Sequence, residues 1–279
     1  MGIVTISRGT FFFGQALAER VAAALGCACV GRELVREAAE SLGISHELMA
    51  KKIDEMPTFW ERLTSERKVY MAAMQVALAE HVLRGDFVYH SWAGHLLLQG
   101  VPSLLKVRVI APRDKRVASW MERENMSKEA AEEHVGQVDE KRGRWTRFIY
   151  GVDWQDPQLY DMVLNLDLMT LESACQAIVA LAGRPEFGIP AEGRGKLKGF
   201  ALASRVRLLL ARSPESRALD LQVEANEGSV ILRGSAPELL MPGLVADRFE
   251  AELTRLVLSV EGVRDVKLSI RASGRPSVY

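Results

Sequence analysis

The stretch "GIVTISRGTFFFGQALAERVAAALG", residues 2–26, decides the fold class. It begins with an apolar run at residues 2–7, which is typical of a buried strand. Gly9 and Gly14 follow directly, and the segment after them carries apolar residues at helical spacing until Gly26. A buried strand, a glycine-containing turn and an amphipathic helix, in this order, predict the opening unit of a parallel α/β sheet.

The alternation continues over the first 183 residues, and helical patterns separate the apolar runs. It predicts a parallel five-stranded sheet with helices on both faces, whose strands are residues 2–7, 27–30, 86–91, 104–111 and 162–167. The helices are predicted near 17–25, 33–43, 58–84, 114–124, 128–151 and 171–183, with Ser127 and Thr170 as N-caps of the last two.

Ligands of parallel sheets bind at the carboxyl ends of the strands. Four segments follow predicted strands, so we expect them to meet in one cleft: residues 8–14, 31–33, 91–95 and 111–116.

The composition changes at residues 183–199, which hold five glycines and two prolines and show no periodicity. We therefore predict domains at 1–183 and 199–279, joined by a linker at 184–198. The second domain has the pattern of a helix at 200–211, a hairpin around "NEGS", a helix at 243–259 and a last strand at 263–270. This order predicts a small α+β domain with the elements α-β-β-α-β.

The overall charge and composition limit the classes of function that the sequence supports. The 279 residues include 36 Lys or Arg and 36 Asp or Glu, so the formal net charge is zero and gives no support to wholesale binding of nucleic acid or acidic membranes. No apolar stretch approaches the 18 residues of a membrane span. Arg8 interrupts the leading apolar run, so no signal peptide is expected. The three cysteines lack framework spacing, which favours reduced thiols and a cytoplasmic protein.

The two glycines of the opening stretch have the G-x-x-x-x-G spacing of loops that cradle phosphates. Backbone N–H groups at the start of the following helix can hold a phosphate without any side chain. Gln15 and Ala16, however, stand where Lys and Ser or Thr are expected. Two interpretations stay open: weakened phosphate binding, or a loop that packs its phenylalanines inward and binds nothing. The candidate residues for a nucleotide phosphate are Arg8, Gly9, Thr10, Phe13, Gly14, Gln15 and Ala16.

The first domain resembles the cytidylate kinase-like family of P-loop nucleoside monophosphate kinases over about residues 3–180. The motifs that carry the resemblance are "ITIS-R", "ALAERVAAALG", "GRELVREAA", "VYHSWAGHLLL", "LKVRVIAP" and, above all, "YGVDWQDPQLYDMVLNLDLMTLESA". The second domain looks like a BON domain in "VEANEGSVILRGSA" and "VEGVRDVKLSI". The resemblance implies phosphoryl transfer from ATP, with Mg²⁺, to a CMP-like nucleoside monophosphate.

The same resemblance implies a lid of arginines over the phosphates, for which Arg142, Arg144 and Arg147 are the candidate catalytic residues. The alternative is a solvated basic helix face. Arg144 and Arg147 are expected to point together, and Asp139 to pair with Arg142 or Arg113.

For the acceptor monophosphate the candidates are Arg32, His90, Ser91 and His95, and the alternative for the histidines is a structural role. The two histidines lack a third ligand, so no metal site is predicted.

Two hypotheses from different classes remain. The first is a cytidylate kinase-like enzyme. The second is a nucleotide- or phosphate-binding sensor or scaffold without efficient turnover, which acts together with the BON-like domain. That domain is the candidate surface for a homo-oligomer or a protein partner.

Overall fold

The computed structural model describes residues 2–9, 13–54, 66–91, 93–190, 193–217, 219–237 and 244–273. Thr10, a candidate phosphate ligand, and residues 58–65 of the predicted third helix lie outside these ranges. The chain divides into two compact units. The first unit is Met1–Leu34 with Arg84–Pro190, and the second is Val35–Leu83 with Ala191–Tyr279. The predicted linker at 184–198 stays a prediction.

In chain order, the described strands are β1 (Ile3–Arg8), β2 (Ala28–Val30), β3 (Phe87–His90), β4 (Leu104–Ile110), β5 (Met162–Asn165), β6 (Asp220–Asn226), β7 (Ser229–Pro237) and β8 (Asp265–Ser273). The described helices are α1 (Phe13–Leu25), α2 (Glu33–Leu42), α3 (His46–Asp54), α4 (Glu66–Arg84), α5 (Gly94–Leu97), α6 (Arg113–Glu124), α7 (Lys128–Tyr150), α8 (Leu171–Ala182), α9 (Gly193–Arg212) and α10 (Leu244–Leu258).

The first unit contains a five-stranded sheet in the order β2-β3-β1-β4-β5, and all four strand pairs are parallel. The predicted fold class is therefore confirmed. Val4 and Ile6 point from β1 into an apolar core that also contains side chains of α1 and α8. The alternate residues Thr5 and Ser7 are buried on the opposite face, which makes that face the polar one.

Both predicted N-caps of the first unit are confirmed. The Ser127 hydroxyl accepts the N–H of Ala130 at 3.2 Å, and Thr170 accepts that of Ser173 at 3.1 Å. The sequence analysis missed the helices α3 and α5. None of the described helices is long and apolar enough to span a membrane.

The second unit has the predicted α-β-β-α-β order in α9, β6, β7, α10 and β8, with β6–β7 antiparallel and β7–β8 parallel. Glu227 and Gly228 form the hairpin turn with φ angles of 47° and 85°. Val223 of β6 and Val230 of β7 are buried beneath α9 and α10.

The start of α9 differs from the prediction, because the helix begins at Gly193 and not near residue 200. Leu197 and Phe200 are buried along it. A Cβ atom on Gly199 would overlap the carbonyl oxygen of Ala225, so this glycine permits close packing of α9 on β6. Gly193, Gly195 and Gly199 therefore lie within a helix.

Helix α4 belongs to the second unit, except for its last residue, Arg84. The Arg207 guanidinium of α9 donates to Oε1 of Gln75 at 3.0 Å, and the Lys68 ammonium donates to the carbonyl of Leu219 at 3.1 Å. Within the same unit, His81 lies 2.8 Å from a carboxylate oxygen of Glu37.

Candidate active site at the carboxyl edge of the parallel sheet

Parts of the four segments that were expected to form one cleft lie side by side at the carboxyl edge of the parallel sheet. Arg8, the last residue of β1, lies opposite Val109 of β4. A Cβ atom on Gly9 would lie 3.7 Å from Nη1 of Arg116, which places the first turn of α6 beside the start of the loop. Residues 8 and 9 thus share one edge with the start of α6.

Gly14 lies directly against Arg8. A Cβ atom at position 14 would lie 2.8 Å from the Cβ of Arg8 and would overlap the rest of that side chain, so a residue larger than glycine displaces it. Phe13, the first residue of α1, is 49% exposed, and so it does not pack inward.

Gln15 and Ala16 supply no cation to the loop. The Gln15 amide donates to Oε1 of Glu19 at 2.9 Å on the exposed surface of α1. Ala16 is half-buried and has no hydroxyl group. The helix that follows the loop therefore contributes only its backbone N–H groups and its dipole.

Of the three predicted lid arginines, Arg142 reaches the loop. Its Nη1 donates to the carbonyl oxygen of Arg8 at 2.8 Å. Arg144 pairs with Glu140 along α7, and Arg147 pairs with Asp153 at 2.6 Å. The expectation that Arg144 and Arg147 point together is wrong, because a different carboxylate holds each guanidinium.

Asp139 has a partner that the sequence analysis did not name. It lies 2.6 Å from Nη1 of Arg116, one turn of α6 beyond Arg113. The Arg113 guanidinium donates to the carbonyl of Glu132. Sequence reasoning missed Arg116 as a site residue, although its position after β4, in segment 111–116, was the available signal.

The electrostatic field at this edge is positive. Burial lowers the pKa of the Arg8 guanidinium, and the charges of Arg32 and Arg123 lower it further. A cluster of cations around a helix N-terminus favours an anion, because the anion relieves their mutual repulsion.

The acceptor candidates lie at the ends of β2 and β3. The His90 ring packs on Gly31, where a Cβ atom would lie 2.7 Å from its Cε1. Burial lowers the pKa of His90, as does the charge of Arg8. Arg32 is exposed beside it, and Ser91 is half-buried. The N–H of Gly31 donates to Oε1 of Glu33 at 2.6 Å, a local contact at the start of α2.

His95 does not join these residues. His90 of β3 pairs with Ile6 of β1, so its side chain lies on the same face of the sheet as those of Ile6 and Val88. His95 lies beneath the opposite face, where its Nδ1 is 3.3 Å from Oγ of Ser7 and its ring centroid is 4.7 Å from that of Tyr160. The expected group of His90, Ser91 and His95 is therefore divided between the two faces.

The motif "DWQDPQLYD" shapes the approach to β5. The Tyr160 hydroxyl donates to the carbonyl of Trp154 at 2.8 Å, and Asp156 accepts the N–H of Gln158 at 2.9 Å. The Arg108 guanidinium lies over the Trp154 ring, 4.8 Å from its centroid. These contacts fix the conformation of the segment that leads into β5.

A model of the cytidylate kinase-like family matches residues 3–168, which is more than half of the chain. The chain belongs to the cytidylate kinase-like family. No curated protein matches it.

Solved structures similar to this cytidylate kinase-like chain include an uncharacterized protein from Eubacterium ventriosum ATCC 27560, at 16% identity and a TM-score of 0.48 over 64% of this chain and 97% of that one. TT1252 from Thermus thermophilus matches at 18% identity and a TM-score of 0.42, over 66% of this chain and 98% of that one. Shikimate kinase from Bacteroides thetaiotaomicron matches at 11% identity and a TM-score of 0.41, over 66% and 99%. All three TM-scores are below 0.5, so the fold assignment rests on strand order and direction.

Kinases of this family type generally use ATP with Mg²⁺, but the described residues do not fit the metal. Position 16 lacks the hydroxyl that holds Mg²⁺ in ordinary P-loops, and the nearby carboxylate of Asp139 is bound to Arg116. Among the residues that the structure describes, no group of three or more His, Cys, Asp or Glu side chains can hold a metal ion.

Proposed function

We propose that the carboxyl edge of the parallel sheet binds the phosphates of a nucleotide such as ATP, and that arginines replace the missing loop lysine. The observation that carries this proposal is the 2.8 Å bond from Arg142 to the carbonyl of Arg8, since it anchors a cation on the backbone of the candidate phosphate loop. Arg8 adds positive charge at the same place, while the charge of Arg116 is balanced by Asp139. Thr10, Phe13 and the backbone of Gly9 and Gly14 complete the proposed loop.

The reaction proposed for this site is phosphoryl transfer from ATP to a CMP-like monophosphate. Such transfer depends on positioning and on neutralising the charge of the transferred group, and arginine guanidinium groups supply both. Arg32, His90 and Ser91 are the proposed contacts of the acceptor phosphate. Because Gln15 carries no charge and Ala16 no hydroxyl, we expect turnover to be slow.

A second candidate function is nucleotide binding without turnover. The contact between Gln15 and Glu19 favours it, because this amide bonds to a carboxylate on the exposed surface of α1. In this case the protein acts as a sensor or scaffold, and its C-terminal α-β-β-α-β fold, proposed to be BON-like, contacts a protein partner or a second copy of the chain. We place both candidate functions in the cytoplasm.

Binding is tested by calorimetric titration of ATP and CMP, with and without Mg²⁺, into the full chain. Arg142→Ala should weaken ATP binding at least about tenfold, because it removes the anchored cation. Arg144→Ala is the matched control, since it removes an exposed arginine two residues away whose partner is Glu140. Equal affinities for wild type and Arg142→Ala would refute the proposed phosphate site.

Turnover is tested in a coupled kinase assay. The double variant Gln15→Lys, Ala16→Ser should raise the rate of phosphoryl transfer to CMP above a slow wild-type rate. A wild-type rate that is already fast would show that the arginines suffice. A double variant that binds ATP but shows no turnover would favour the sensor function.

A further inference from the structure

A cavity of about 380 Å³ lies on the polar face of the parallel sheet, within the first unit. Part of its lining lies at the amino end of β1 and β4, since a Cβ atom on Gly2 would lie 2.7 Å from the carbonyl oxygen of Ser103, a lining residue. The proposed nucleotide site lies at the opposite edge of the sheet. The volume falls in the range of about 300–1,000 Å³ that is usual for small-molecule sites.

The cavity wall is amphipathic. Leu98, Val101 and Phe187 provide apolar surface, while His95 and Lys106 provide nitrogen donors and Glu186 provides a carboxylate. Sites for small organic molecules commonly have this composition, in which apolar surface contributes affinity and a few polar groups fix the orientation.

The ring of His95, a residue that lines the cavity, has one unused hydrogen-bonding atom. The residue is only 5% exposed, and Nδ1 lies 3.3 Å from Oγ of Ser7. Its Nε2 is buried and has no hydrogen-bond partner among the described residues. A buried polar atom without a partner is unfavourable, so a ligand that bonds to it gains free energy.

The positive charges near His95 favour a negatively charged ligand. Burial lowers its pKa to about 4, and the charges of Lys106 and Arg108 act in the same direction. The imidazole is therefore neutral and lies in a positive field, which favours an anion. Lys106 lies 3.2 Å from Asp161, and its ammonium has two further N–H donors.

We propose that this cavity binds a small organic carboxylate. The Ser7 hydroxyl donates to Nδ1 of His95, so Nε2 carries the ring proton and donates it to the carboxylate, which also accepts a hydrogen bond from Lys106. The apolar body of the ligand packs against Leu98, Val101 and Phe187. This site is independent of the proposed nucleotide site.

The wild-type test is an NMR titration of the full chain labelled with ¹⁵N-histidine. Phenylacetate should shift the ring nitrogens of His95 and raise its pKa, because the anion stabilises the imidazolium. The similarly sized 2-phenylethanol and 2-phenylethylamine should bind at least about tenfold more weakly. No shift at His95, or equal binding of the three compounds, would overturn the proposal.

A pair of variants tests the role of the ammonium. Lys106→Met should weaken phenylacetate binding about tenfold, because it removes the cation of the wall. Lys115→Met is the matched control, since Lys115 lies 3.0 Å from Asp167 and does not line the cavity. Equal effects of the two substitutions would contradict the assignment. If Lys106→Met fails to fold, the wild-type titration still decides.

Discussion

His90 and His95 are of the same residue type and lie five positions apart, yet the fold gives them different surroundings. His90 packs on Gly31 close to Arg8, whereas His95 contacts Ser7 and Tyr160 beneath the other face of the sheet. Burial is the largest cause of a lowered pKa in both, so both are held neutral in the folded protein.

Stability should therefore fall in acid. The folded pKa of His95 is about 4, below the unperturbed value of about 6.5, so the unfolded chain takes up a proton first as the pH falls below about 6.5. This residue should lower the free energy of unfolding by about 2–3 kcal/mol between pH 7 and pH 4.5. Urea unfolding at several pH values measures the loss.

His95→Gln should flatten this profile, and His46→Gln, which removes an exposed imidazole of α3, is the control. Parallel profiles for wild type and His95→Gln would contradict the assignment of the acid sensitivity to His95. His90 also has a lowered pKa, so it causes a loss of stability in acid of the same sign. That loss is present in the profiles of both the wild type and His95→Gln.

At the scale of elements, α7 begins at a capping residue that the sequence shows and carries Arg142 to the candidate phosphate site. Its N-cap at Ser127 is readable from the sequence, and Arg142, four turns later, contacts the carbonyl of Arg8. The rise per residue of a helix is constant, so the residue at which this helix of 23 residues begins determines where its later side chains lie.

Ser127→Ala should destabilise the first unit by about 1 kcal/mol, because the N–H of Ala130 loses its capping oxygen. Ser119→Ala, within α6, is the control and should leave the free energy of unfolding unchanged or slightly raised, since alanine is the better helix former. Chemical denaturation of the three proteins measures the difference. Equal losses at both positions would argue against a capping role for Ser127.

At the scale of the whole molecule, the second unit is assembled from two separate parts of the chain, Val35–Leu83 and Ala191–Tyr279. The buried guanidinium of Arg207 bonds to Gln75 in one part and to the carbonyl of Val223 in the other. Burial lowers the pKa of this guanidinium, so its partners matter more than those of a surface arginine.

Arg207→Met should destabilise the second unit by about 2 kcal/mol, because it leaves Gln75 and the Val223 carbonyl with one partner fewer. Hydrogen exchange should show faster exchange in α4, with the amides of β1 and β4 unchanged. Arg205→Met, two residues away on α9, is the matched control. Unchanged exchange in α4 would mean that Arg207 does not hold this helix in the unit.

The sequence by itself determined the fold class, the five strands, the two N-caps and the small α-β-β-α-β fold. These features depend on local periodicity and on capping side chains. They also depend on the rule that β-strands joined by helical crossover connections pair in parallel. The replacement of the P-loop cation by Gln15 was also evident, because a residue type needs no coordinates.

Only the tertiary structure decided which of several arginines reaches the loop. Arg142, Arg144 and Arg147 are alike in sequence, and the packing of α7 selects Arg142 for the contact with Arg8. Asp139 likewise had several cations in reach, and the approach of α6 pairs it with Arg116. The division of His90 from His95 and the grouping of α4 with α9 follow from contacts between residues far apart in the chain, which no local pattern encodes.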